Sequence, residues 1–201
     1  MNRPLLVIVS ALSCCALLHA GRLAAKPGDP CGNAATVNQS YEVLFGKVVA
    51  VDSGDTIVVV FEKGSAIYDD APDGSLIERS LAGVSTTVRL VAIEAPSLSE
   101  PPGQRSRAAL EKRVLGKRLE ICPSPYQSEG TPLNALVSEI GDGVADTNLQ
   151  QVKDGLARQI EQGDYDIDWY LRCTFERAEE SAKQHNRGMW SAAAGAPLSQ
   201  R

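Results

Sequence analysis

Histidine is almost missing from this chain, with two in 201 residues, His19 and His185. His19 falls in a segment that reads as an export signal, which leaves His185 near the end of a helical run over 176–188 that stops at Gly188. A histidine-cluster metal centre is therefore excluded. Any Ser/His/Asp or Cys/His nucleophilic centre would rest on a residue whose usual role, near a helix C-terminus, is to meet the last carbonyls. The five cysteines contain no C-x-x-C pair of the kind that holds zinc. Cations are also short: 20 Lys plus Arg stand against 25 Asp plus Glu, a formal charge of -5. A polyanionic partner would have to be met by a local surface, because the whole chain offers no field to attract one. From Leu119 to Val152 there is no Lys or Arg at all. Aromatic residues make up 5%, which leaves little to stack on bases. Internal repeats and heptads are absent, and the one long apolar run, Leu5 to Leu18, falls short of the roughly 20 residues a membrane helix needs.

What is present is the composition of a globular domain, 43% hydrophobic and 22% charged. Residues 1–20 read as a cleaved signal peptide: Arg3 supplies the positive start, 5–18 the apolar stretch and Leu18-His19-Ala20 the cleavage approach. This reading is preferred over an uncleaved anchor and over lipid attachment at Cys14 or Cys15, and it makes the protein exported, periplasmic or extracellular. Cleavage leaves 19 cations against 25 anions, and it leaves Cys31, Cys122 and Cys173. In an oxidising compartment that is one disulfide and one thiol. The rest divides into an N-terminal extension over 21–42, one domain over 43–190 and a flexible tail over 191–201.

The β-branched runs 44–51 and 56–61 flank Asp52-Ser-Gly-Asp55 and predict a hairpin. A third strand is expected over 86–93, and the intervening 62–85, rich in Gly, Asp and Pro, reads as an inserted surface loop. A helix over 103–115 follows Pro101-Pro-Gly103 and stops at Gly116. Strands over 117–122 and 133–140 and helices over 148–158 and 169–186 complete the pattern. This is an α+β class, a small closed five-stranded OB-type β-barrel with about three α-helices packed on it. The first helix and its exit are basic: Arg105, Arg107, Lys112, Arg113, Lys117 and Arg118 against Glu111 alone. A solvated helix face is the ordinary meaning of such a run, and a surface for nucleic acid or another polyanion is the functional one.

Four blocks in order, Val48-Val-Ala-Val-Asp-Ser-Gly-Asp-Thr56, Val88-Arg-Leu-Val-Ala-Ile-Glu-Ala-Pro96, Gly155-Leu-Ala157 and Arg187-Gly-Met-Trp190, resemble the staphylococcal nuclease (thermonuclease-like) family. The resemblance runs from about Val43 to Trp190. It implies a five-stranded OB barrel with three helices and, in active members, calcium-dependent cleavage of DNA and RNA phosphodiesters. Such chemistry needs a hard cation on oxygen ligands, arginines that clamp phosphate oxygens, and a carboxylate that activates water. By resemblance Asp55, Glu94 and the Ala95 backbone carbonyl would hold Ca2+, with Glu94 in place of the usual aspartate. Arg89 would be the first phosphate clamp. Without the resemblance, Asp52 and Asp55 are turn formers, Glu94 ends a strand and Arg89 faces solvent from one.

Other parts of the set are replaced. The family's Pro-Glu dipeptide reads Pro96-Ser97, and a serine hydroxyl is no base at neutral pH; Glu100, three residues on, is the one available substitute. The second arginine falls at Asn134, and the base-stacking tyrosines fall at Glu161 and Gly163. The family architecture also implies a disulfide between Cys122 and Cys173, with Cys31 as the competing partner. The expectation is an exported domain of nuclease ancestry, weakly active or inactive as a phosphodiesterase, that works as a binding module. The alternative is an active metal-dependent nuclease with a rearranged site.

Overall fold

The computed structural model describes residues 30–31, 43–70, 75–124, 132–140, 146–160 and 169–191. The signal segment, most of the N-terminal extension, the tail from 192 and positions 161–168 lie outside them. The elements in chain order are β1 (Leu44–Val51), β2 (Thr56–Phe61), β3 (Ala66–Asp70), β4 (Leu76–Ser80), β5 (Ser85–Leu90), β6 (Ile93–Glu94), α1 (Pro101–Val114), β7 (Arg118–Pro123), β8 (Leu133–Glu139), α2 (Asp146–Lys153), β9 (Arg158–Gln159) and α3 (Trp169–Gln184), followed by a 3-10 turn over Gly188–Trp190.

Strands β1, β2, β5, β8 and β7 close in that order into a barrel. The expected fold is therefore present: five barrel strands and, among the described residues, three α-helices. Alternation builds it. In β2, Ile57, Val59 and Phe61 point inward while Thr56, Val58 and Val60 lie half-covered outside. In β5, fully buried Val88 and Leu90 flank exposed Arg89. β8 departs from alternation and is buried on both faces, because α2 covers its outer side. A buried asparagine joins the two: Asn148 Oδ1 accepts from Val137 N at 3.0 Å, and its Nδ2 donates to Val91 O at 2.9 Å. That amide satisfies backbone groups at the place where the β5 ladder ends, so an apolar residue there would leave them unpaired.

The run expected as one strand over 86–93 is broken. Val91 and Ala92 turn, with Ala92 at φ 64°, and β6 resumes at Ile93 to pair with β9. The stretch 62–85, expected as a loop, contains the antiparallel hairpin β3–β4. Its base is anchored by buried Ile67 and Leu81, an apolar pair that the many turn residues around it obscured. Helix α1 begins two residues earlier than expected, because Pro101 and Pro102 occupy its first positions, where a missing N–H costs nothing. It buries Gly103, Ser106, Leu110 and Val114 on one stripe. None of the described helices is long and apolar enough to cross a membrane.

The disulfide expectation is corrected. Cys31 pairs with Cys173, with Cα atoms 5.6 Å apart, across 142 positions of sequence. Cys122 sits in β7 opposite Leu136 and is buried in the hydrophobic core, and Cys173 takes Cys31 as its partner instead. A strand-end position in sequence was compatible with either bridge, and the choice of Cys31 is a contact between segments 142 positions apart that no local pattern records.

Candidate functional site

The β1–β2 turn is built by its own polar groups. Asp52 N and Ser53 N both donate to Thr56 O, at 3.0 and 3.3 Å. Asp55 is 8% exposed. Its Oδ1 accepts from Ser53 Oγ at 2.5 Å and Thr56 Oγ1 at 3.1 Å, and its Oδ2 accepts from Ala95 N at 3.0 Å. With Leu90 N donating to Asp55 O at 2.8 Å, the aspartate ties the turn to the segment after β5. Gly54 allows the approach of α1: a Cβ there would lie 2.6 Å from Ser106 Cβ and 2.7 Å from Ala95 Cβ. Gln151, fully buried in α2, donates from Nε2 to Gly54 O at 2.7 Å and holds the turn from below.

Around this turn the candidate residues converge. Arg89 stands opposite Thr56 on one side and beside Asn134 on the other, in the β5–β8 parallel register. Glu94 and Ala95 follow on the next strand. Ser97 is exposed, with its Oγ 2.7 Å from Ser99 Oγ, and Glu100 sits at the N-cap of α1 without making a cap hydrogen bond. A cleft of about 360 Å³ opens here, with Glu94, Ser97, Glu100, Pro102, Arg158 and Met189 among its walls. Arg89 and Asn134 are thus ladder neighbours beside the turn, Asp55 is hydrogen-bonded to Ala95, and Glu94, Ala95 and Ser97 line the cleft.

Arg158 is the residue that sequence reasoning missed. It lies directly opposite Glu94 in the β6–β9 ladder, and its Nε donates to Glu94 Oε2 at 2.8 Å while Nη2 contacts the same oxygen. The available signal was its place immediately after Gly155-Leu-Ala157, but nothing in the chain pairs it with a carboxylate 64 positions away.

The calcium that the resemblance implies does not fit this donor set. Calcium takes six to eight oxygen ligands. Here both Asp55 oxygens already accept hydrogen bonds from the protein and the Glu94 carboxylate is neutralised by a guanidinium. Among the described residues no three acidic, His or Cys side chains cluster as metal ligands.

The basic run on α1 is largely consumed inside the molecule. Arg107 Nε donates to Val51 O at 2.8 Å. Arg113 reaches Asp154 at 3.0 Å and Gln151 at 3.3 Å, and Lys117 reaches Glu139 at 2.8 Å. Arg118 grips Glu62 from Nε at 2.5 Å and Nη2 at 2.8 Å and lies 4.4 Å over the Phe45 ring. That two-point hydrogen bond holds the Glu62 carboxyl below the ordinary carboxylate range and raises the guanidinium. Arg105 has a partner of its own, and Lys112 is exposed. Arg107, Lys112, Lys117 and Arg118 are exposed, and Arg105 and Arg113 are half-buried.

A family model described as staphylococcal nuclease homologue matches residues 87–192, more than half of the chain. The match contains Arg89, Glu94, Ser97, Glu100, Asn134 and Arg158, while Asp55 and the first hairpin precede it. No curated protein matches the chain.

Proposed function

We propose, from the premise that this chain belongs to the staphylococcal nuclease homologue family, that it is an exported domain of nuclease ancestry which hydrolyses phosphodiesters weakly or not at all and works by binding. The observation that carries this reading is the pairing of Glu94 with Arg158 beside Ser97. A carboxylate needed for a metal is bound to an internal cation, and the position needed for a base holds a hydroxyl. Loss of one preorganised donor of the second-arginine kind costs on the order of 10² to 10³ in rate. Loss of the base adds roughly 10², although such losses do not simply multiply. Export is supported by the Cys31–Cys173 bridge, since disulfides persist in oxidising compartments.

The ligand this reading favours is a nucleic-acid backbone or a similar polyanion, met by exposed Arg89 and Lys112 rather than by the whole basic helix. Few phosphate contacts mean weak binding with a shallow salt dependence, because the slope scales with the number of phosphates neutralised. In a hydrolysis assay on single-stranded and duplex DNA, no calcium-stimulated cleavage is expected, and Arg89→Ala should leave the background unchanged. Robust calcium-dependent turnover that Arg89→Ala abolishes would overturn the proposal. One observation favours the alternative of a rearranged active nuclease: Glu100 shares the cleft with Ser97 and Arg158. Cleavage lost in Glu100→Gln would identify that case.

A further inference from the structure

Arg158 is placed by the fold and not by the chance reach of a long side chain. Strands β6 and β9 pair over only two residues each, Ile93 with Gln159 and Glu94 with Arg158, so the two charges are cross-strand partners by register. The short ladder is pinned at both ends. Ile160 N donates to Ala92 O at 3.1 Å, Leu156 N and Ala157 N donate to Gln151 O at 2.8 and 3.1 Å, and Ile93 and Ala157 are fully buried. One residue beyond Glu94, Ala95 N donates to the Asp55 carboxylate. The cation therefore stands against the Glu94 carboxylate in the wall of the cleft, next to the residue whose N–H binds Asp55.

A guanidinium offers only donors. It takes up carboxylate lone pairs that a metal would use, and it adds a positive charge that repels one. We propose that Arg158 is a built-in counter-cation which takes the place of a divalent metal at Glu94 and excludes such ions from the cleft that both residues line, so that ligand binding at this face is metal-independent. The inference rests on the reading of a domain that does not depend on metal-assisted hydrolysis. Its test uses no nucleic-acid substrate, so a result here is separate from any cleavage result.

The experiment titrates the full exported chain with calcium, followed by thermal unfolding, and with terbium, followed by luminescence. Wild type is expected to show no saturable binding at millimolar calcium. Removing a unit charge about 4 Å from a divalent ion in water-like surroundings changes its affinity by more than about tenfold. Arg158→Gln should accordingly bind both probes at least about tenfold more tightly than wild type, and adding Glu94→Gln should abolish the gain. Arg158→Lys, which keeps the charge, should behave as wild type. If Arg158→Gln does not fold, Arg158→Met replaces it in the same comparison. Wild type binding as tightly as the neutral variant would overturn the proposal, as would a folded neutral variant that gains nothing.

Discussion

Gly155→Ala is expected to lower folding stability by about 2–5 kcal/mol, from left-handed backbone strain and from overpacking together. Gly155 has φ 67°, and a Cβ on it would lie 2.3 Å from Arg187 O, a backbone atom that cannot rotate away. The approach is mutual, because a Cβ on Gly188 would lie 2.2 Å from Gly155 O. Met189 N donates to Gly155 O at 2.8 Å across the same contact. This clasp holds the last turn of the domain against the end of α2 and brings Met189 into the wall of the cleft. Gly64→Ala is the control: φ is 91° but nothing lies within 4 Å of the added carbon, so only the backbone term of about 1–2 kcal/mol applies. Urea unfolding of the two variants with unchanged m-values measures the difference. A Gly155→Ala protein no less stable than Gly64→Ala would show that the close approach carries no cost.

Breaking the Cys31–Cys173 bridge, by reduction or by Cys31→Ser, is expected to cost about 2–5 kcal/mol. The bridge spans 142 positions, nearly the whole domain, and a cross-link that closes so long a loop restricts the unfolded chain strongly. Cys122→Ala should act differently. It removes a buried sulfur from the hydrophobic core and leaves the cross-link in place, so its loss is the smaller one of a core truncation and is insensitive to reductant. Thermal unfolding with and without reductant separates the two variants. Non-reducing peptide mapping checks the pairing directly, and a Cys122–Cys173 peptide would refute it.

The legibility of the candidate site divides along similar lines. Asp55, Arg89, Glu94 and Ala95 were singled out by the resemblance of two short blocks at strand ends, whereas local pattern alone gave only the turn and the strands around them. The absence of a second arginine was readable too, since no Lys or Arg occurs between Leu119 and Val152. Arg158 was not readable, because its meaning comes from the β6–β9 ladder, a two-residue pairing with no periodic signal of its own. Gln151 was hidden in the same way: on a helix it looks like a surface amide, yet it is fully buried beneath the turn that carries Asp55. The pairing of the basic run was hidden for the complementary reason. Composition counts charges but not partners: Arg113 meets Asp154 just after α2, Lys117 meets Glu139 in β8 and Arg118 meets Glu62 just after β2.

By itself the sequence determined the class of the fold, the approximate positions of the barrel strands and the stretch without cations from 119 to 152, because alternation, turn chemistry and composition are local properties of a chain. Only the tertiary structure decided which cysteines are joined, that the 62–85 stretch folds back as a hairpin, and that Glu94 faces a guanidinium. Each of these depends on side-chain direction and on contacts between segments far apart in the chain, and close packing rather than any local preference selects them.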